Sequence, residues 1–501
     1  MRLIKGKKQV LLRDLEKAMA SSSTYEEWRA AAIEHDNIAG NTLWKRQDHS
    51  EQFDYLEIRS RLDNLRNIRK YGDHHELLFT LNEGIHGNMG GMGNNSLYQK
   101  ALVGTKNLIH DYVDELVDSL YYLSEVEDDQ IDFNTKLDFF HRASHCYGRS
   151  ALMLSGGGSL GYFHIGVVKA LLEENLLPTV ISGSSIGAFL TGMIGTRTDE
   201  ELREGISDGS INFTLEEDEQ FVESMINNEM IDQELQSAIE SRLANLIPDL
   251  TFQEAYELTG KAINISVSPS EPHQTSRLLN AITSPNVSVR SAVMASCAIP
   301  GVVPPVTLRA KNVHGESQYY LPTRQWLDGS FSEDLPGKRL SRLYGVNHQI
   351  VSMVNPLILP FVDKEDSAQS WTTPLKKLML DSARTYAHSM QLLSQKYLSD
   401  NGKLSFAINS FNSILAQDYT GDINMQPSLK VLKIGKFIPP IPFKDMQMLI
   451  EEGEKATWKR IEQIRLATKI SHALDEILIK MDSLHQAHAK EIYKTARKSV
   501  A

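Results

Sequence analysis

The chain has 501 residues and a net charge of −12, with 41% of its residues hydrophobic and 23% charged. That balance fits a folded protein of roughly two to four domains and excludes a disordered one. The acidic excess argues against nucleic-acid binding, and two cysteines, Cys146 and Cys297, cannot build a disulfide framework, so a reducing compartment is expected.

The first residues are basic (Arg2, Lys5, Lys7, Lys8), but only Val10, Leu11 and Leu12 follow before Arg13, too short an apolar stretch for a signal peptide. No later apolar run is long enough to predict a spanning helix. Residues 1–145 read as helical. A cap region, Ser21 to Thr24, precedes an amphipathic segment that opens at Tyr25. Tyr55, Ile58, Leu62 and Leu65 recur at helical spacing, and so do Leu108, Val113, Leu116, Leu120 and Leu123. The glycine-rich residues 84–95 between them predict a loop.

The character changes near residue 150. Ala151 to Leu154 reads as a buried strand running into Gly156-Gly157-Gly158-Ser159-Leu160-Gly161, and a helix follows from about His164. Thr179-Val180-Ile181 reads as a second strand, ending at Gly183-Ser184-Ser185-Ile186-Gly187 before another helix. Later strand candidates lie at residues 263–267, 350–354 and 431–434. Strands alternating with helices predict an α/β fold with a mostly parallel sheet covered on both faces. Residues 443–501 return to helix, with Met446, Leu449, Ile450, Leu474, Ile477, Leu478, Met481 and Leu484 as expected core positions. The expected division is a helical domain at 1–145, an α/β domain at 146–440 and a helical segment at 441–501.

The glycine turn matches G-x-G-x-x-G, but no carboxylate stands between Glu174 and Asp199 to hold a ribose, which argues against a dinucleotide. The second turn is G-x-S-x-G between strand and helix, the pattern of a nucleophile elbow, with Gly183 and Gly187 permitting the sharp bend and Ser185 at its tip. Turns after neighbouring parallel strands lie at the same sheet edge, so amides of the glycine turn are expected to form an oxyanion hole above Ser185. A serine nucleophile needs a base. Asp328, in Trp326-Leu327-Asp328-Gly329-Ser330, is one candidate; on spacing alone such an Asp-Gly is usually just a turn. None of the sixteen histidines is singled out by its surroundings, and His164 reads as a packing or capping residue.

Taken together, these segments resemble the patatin-like phospholipase family: the glycine loop, the Gly183 to Gly187 elbow and Asp328-Gly329 occur in the family's order and spacing, and Ala295-Ser296-Cys297-Ala298-Ile299-Pro300 resembles its Ala-Ser-x-Ala-x-Pro block. The helical region with Trp28, Asp36, Gly40, Trp44, Tyr55 and Gly90-Gly91, together with Asp334-Leu335-Pro336 and Tyr419 to Ile423, resembles the storage-lipid lipases of yeast and plants. The resemblance implies the patatin-like three-layer fold and a Ser-Asp dyad, with Ser185 as nucleophile, Asp328 as base and Gly156, Gly157 and Gly158 as the oxyanion loop. It implies an acyl-lipid substrate and an acyl-enzyme, and no cofactor or metal. Leu160 replaces the Lys or Arg that many relatives carry in the loop, and Ser330 follows Asp-Gly, both in keeping with the storage-lipid group. The His-x-x-x-x-Asp acyltransferase motif is absent.

Such a substrate lies in a membrane or lipid droplet, so a cytoplasmic protein acting peripherally at that surface is expected. Basic residues near the N-terminus, or Lys490, Lys494 and Arg497, would suit an anionic lipid surface or simply face solvent. Two other readings stay open: a Ser-His-Asp esterase using His472 or His485, and a catalytically silent lipid-binding or scaffold protein.

Overall fold

The apolar spacing at residues 55–65 becomes the buried stripe of a helix. The computed structural model describes residues 2–208, 232–271, 274–300, 302–359, 417, 419–429 and 441–499. In it, the helix Tyr55–Tyr71 is capped by the Asp54 side chain, which accepts from Glu57 N–H, and stops at Gly72 in the left-handed conformation. Ile58, Leu62, Leu65 and Ile68 form its buried face. Thr24 caps the helix Tyr25–Ala39 in the same way. Residues 84–95 are mostly loop, interrupted by the single turn Met89–Gly91.

The chain divides into two compact units, Met1–Ser150 with Lys459–Ala501, and Ala151–Trp458. The first is helical. Its core joins the Tyr55–Tyr71 stripe to Leu108, Leu116, Leu120 and Leu123 of the helix Asn107–Glu125, to Phe139 and Phe140, and to Ile470, Leu474 and Ile477 of the helix Ile461–Ser499. Leu484, expected in this core, is exposed because it lies beyond the core's last layer at Met481.

The second unit is built on a seven-stranded sheet. Strands β1 (Arg149–Leu154), β2 (Val180–Gly183) and β3 (Ala262–Pro269) are parallel neighbours. Antiparallel to β3 run β4 (Arg277–Leu279) and, elsewhere along it, β7 (Trp326–Asp328). On the other side of β1 come β8 (Val346–Ser352) and β9 (Ile423–Met425), a parallel pair. A separate hairpin joins β5 (Arg309–Lys311) to β6 (Ser317–Tyr319). The near-continuous burial of β1, β2 and β3 is what a sheet covered on both faces requires. The expected run at residues 431–434 lies outside the described residues.

The expected C-terminal segment divides between the units. Phe443–Trp458 packs on the helix Tyr162–Glu173, and glycines make that contact possible. A Cβ on Gly166 would stand 1.9 Å from Ile450 O, and one on Gly453 would stand 2.1 Å from Phe163 O. The two backbones therefore touch.

Candidate active site

Strand β2 ends at Gly183, and two residues later the chain enters the helix Ile186–Gly195. So sharp a bend leaves no room inside it: a Cβ on Gly183 would lie 2.2 Å from Gly187 O, and one on Gly187 would lie 2.2 Å from Leu154 O. The second contact also presses the elbow against the end of β1. Ser185 sits at the tip with φ 53° and ψ −123°, a conformation that costs a non-glycine residue about 1–3 kcal/mol. Neighbours hold it there. Its N–H donates to Ser296 Oγ at 3.0 Å, Ser296 Oγ donates to Ser266 O at 2.8 Å, and the Cys297 thiol donates to Ser185 O at 3.3 Å. Ser296 and Cys297 come from the Ala-Ser-x-Ala-x-Pro block, whose role in clamping the serine backbone its residue types do not announce.

Asp328 ends β7, which its pairing with Val267 places beside the carboxyl end of β3. The carboxylate is 2% exposed, and the Ser185 hydroxyl lies near enough to favour its ionised form. Its Oδ1 also accepts Ser330 N–H at 2.9 Å. Burial raises the carboxyl from 3.8 to about 6, outweighing the hydrogen bonds from Ser185 and Ser330, which lower it. It is therefore a stronger base than a surface aspartate and still ionised at neutral pH. Gly329 is obligatory beside it, since a Cβ there would stand 2.1 Å from Ser266 O.

The glycine turn faces this pair. A Cβ on Gly156 would lie 2.8 Å from Ser330 Cβ and 3.3 Å from Ser185 Cβ, and one on Gly157 would lie 2.6 Å from Val354 Cγ2. Gly158 has φ 57°, in the left-handed region. The Gly156 amide, expected among the oxyanion donors, is committed elsewhere: it donates to Asp334 Oδ1 at 2.7 Å. The Gly157 and Gly158 amides have no acceptor among the described residues. The same holds for Ile186 N–H in the first turn of the elbow helix, a donor that sequence reasoning missed although the residue after an elbow nucleophile commonly serves in this way.

Asp334 is a second carboxylate, fully buried. Besides Gly156 N–H its Oδ1 accepts the Ser184 hydroxyl, while Asn355 Nδ2 lies 3.4 Å from Oδ2 and 3.5 Å from the Tyr419 hydroxyl. Burial raises it from 3.8 to about 7 against these hydrogen bonds, and the nearby Asp328 charge raises it further. A carboxylate on the first amide of the glycine turn also disfavours a bound pyrophosphate, in line with the missing ribose acid.

No histidine enters this arrangement among the described residues. His164 is fully buried between Ser352 Oγ at 2.7 Å and Ser155 O at 2.9 Å, where burial pushes it down to about 4. It ties the ends of β1 and β8 together, the packing role expected of it. His472 and His485 belong to the helical unit. There burial lowers His472, and the His485 ring stacks on Phe133 with centroids 6.2 Å apart. The described residues contain no group of three or more His, Cys, Asp or Glu able to hold a metal ion.

A serine hydroxyl beside a buried carboxylate, with free backbone amides nearby, can be acylated by an ester. Comparison with known proteins agrees with that chemistry. Residues 152–338 match the patatin-like phospholipase model, and residues 4–145 match a domain of unknown function, DUF3336. Triacylglycerol lipase ptl3 of Schizosaccharomyces pombe is 32% identical, over 92% of this chain and 95% of its own length. Triacylglycerol lipase SDP1L of Arabidopsis thaliana is 31% identical over 96% of this chain, and triacylglycerol lipase 4 of Saccharomyces cerevisiae is 33% identical over 91%. The chain spans 60% and 52% of the length of these last two.

Proposed function

The chain belongs to the patatin-like phospholipase family, and from that premise we propose that it is a serine lipid acyl hydrolase that releases fatty acids from acylglycerols through an acyl-enzyme. The observation that carries the reading is the strained Ser185 at the elbow tip, with the buried Asp328 carboxylate beside its hydroxyl. The substrate class follows the relatives named triacylglycerol lipase, with phospholipid esters as the second candidate.

Asp328 takes the hydroxyl proton as Ser185 Oγ attacks the ester carbonyl carbon. The carbonyl oxygen becomes an oxyanion, stabilised by the Gly157 and Gly158 amides and by the amino end of the helix Ile186–Gly195. The intermediate collapses, the ester C–O bond breaks, and the departing alkoxide takes the proton from Asp328. Water then gives a proton to Asp328 and attacks the acyl carbon. The Ser185–acyl bond breaks, Oγ recovers the proton and the fatty acid leaves. One carboxylate thus serves as base and acid in each half, and no imidazole is needed.

The substrate's location makes the protein a cytoplasmic enzyme working peripherally at a membrane or droplet surface. Among the described residues no helix is long and apolar enough to cross a membrane. The test incubates wild type, Ser185→Ala and Asp328→Asn with triolein emulsion and with phosphatidylcholine vesicles, and measures released fatty acid. Release by wild type alone is expected. Release by Ser185→Ala equal to wild type contradicts the reading.

A further inference from the structure

Asp334 lies outside the reaction just described, yet it contacts both turns that build the site. Its Oδ1 receives the Gly156 amide, from the turn after β1, and the Ser184 hydroxyl, from the turn after β2. Those are the glycine loop and the elbow. Its Oδ2 faces Asn355, just past β8, whose amide also reaches the Tyr419 hydroxyl at 3.5 Å, in the chain leading to β9. Its own N–H donates to Gln417 Oε1 at 2.6 Å, and Gln417 Nε2 donates to Ser330 O at 3.1 Å, in the turn that carries Asp328.

We propose that Asp334 is a positioning residue for the reaction: by bridging Gly156 N–H and the Ser184 hydroxyl at one oxygen, it fixes the glycine turn against the elbow and so aims the Gly157 and Gly158 amides at the oxyanion. This rests on the hydrolase reading given above.

The geometry supports it in three ways. First, the Gly156 amide is taken up by Asp334, so Gly156 acts as the anchor and its successors as the donors. Second, the turn's other hydrogen bonds do not reach the elbow: Ser155 Oγ donates to Gly156 O at 3.1 Å and accepts Val354 N–H at 2.8 Å. Gly157 and Gly158 amides have no acceptor among the described residues, and Leu160 N–H to Gly157 O at 3.2 Å only closes the turn on itself. Third, the space between the turn and the nucleophile is too small for even a Cβ, which on Gly156 would lie 2.8 Å from Ser330 Cβ and 3.3 Å from Ser185 Cβ, so a slip of the turn toward the elbow is felt at Ser185. An oxyanion hole depends on donors already in place when charge develops, so its support acts in the transition state rather than on substrate binding. Among the described residues the titratable groups that face Asp334 are Asp328 and Tyr419, and no cationic side chain acts on it. The bridge is therefore a hydrogen-bond clamp and not an ion pair.

Asn keeps an acceptor oxygen at the position of Oδ1, whereas Ala removes it. The test measures kcat and KM for ester hydrolysis in wild type, Asp334→Asn, Asp334→Ala and Ser184→Ala, with Ser185→Ala as blank and thermal unfolding as the control for folding. Asp334→Ala is expected to lose about 100-fold in kcat with KM nearly unchanged, as for removal of an oxyanion donor. Asp334→Asn should recover most of that loss, staying within about 10-fold of wild type, short of full recovery because a neutral acceptor binds an amide less strongly than a carboxylate. Ser184→Ala, which keeps the carboxylate and cuts only the elbow half of the bridge, should fall between them. If Asp334→Ala does not fold, the Asn and Ser184 variants still decide. Wild-type kcat in both Ser184→Ala and Asp334→Asn, or a rise in KM at constant kcat, overturns the proposal while leaving the hydrolase reading intact. Absence of any Ser185-dependent hydrolysis removes the reading and the proposal together.

Discussion

Asp328 must be buried to be a useful base, and the burial has a thermodynamic consequence that Asp328→Asn exposes. The carboxyl rises from 3.8 to about 6 in the folded protein. Because the folded pKa is raised, the group favours folding fully only below the unfolded value. As pH climbs, the unfolded chain ionises while the folded one keeps its proton, and stability falls until pH passes the folded value. About two units at 1.36 kcal/mol each give a cost of roughly 3 kcal/mol above pH 7, and roughly half of that at pH 5. Asn carries no such cost and still offers an oxygen to Ser330 N–H. The variant should therefore be inactive yet more stable than wild type by up to about 3 kcal/mol at pH 8, with the gain shrinking toward pH 5 and vanishing below pH 4. Urea unfolding of both proteins across that range, following the transition of the α/β unit, measures it. A stability difference independent of pH, or a less stable variant at pH 8, would refute the argument that burial sets the base strength of Asp328.

Three further outcomes are expected. Ser185→Gly should abolish hydrolysis while raising stability by about 1 kcal/mol, since glycine adopts the elbow conformation without strain; equilibrium unfolding checks this. Gly166→Ala places a Cβ 1.9 Å from Ile450 O, an overlap no side-chain rotation can relieve, so it should destabilise the α/β unit by about 3 kcal/mol in the same assay. His472→Ala and His485→Ala should retain kcat/KM within about 3-fold, because the dyad requires no imidazole; a loss of several hundred-fold in either would restore the Ser-His-Asp alternative.

The sequence is legible where covalent and steric rules force a residue type. Gly183, Gly187 and Gly329 stand where a Cβ would meet backbone within about 2.2 Å, so the elbow and the Asp-Gly turn announce themselves. The buried strands β1, β2 and β3 do so through their apolar runs. Strands β4, β7 and β9 are only three residues long, too short to show a period. The clamps on the site were hidden for another reason. Asp334 meets Gly156 from 178 residues away, and Ser296 meets Ser185 from 111; no local pattern encodes such a partner. Asp334 and Tyr419 entered the reading only as parts of a resemblance, with no role attached. The division of the C-terminal helices was hidden likewise, because Gly166 and Gly453 look like weak helix residues until their helices are seen to touch.

The most direct test of the central claim asks whether Ser185 is an activated nucleophile. Wild type and Ser185→Ala are treated with a fluorophosphonate at pH 8, and the labelled peptide is identified by mass spectrometry. The account predicts one phosphonyl group, carried by Ser185, with wild-type labelling that rises through about pH 6 as Asp328 ionises. Labelling elsewhere, or none in folded wild-type protein, would contradict it.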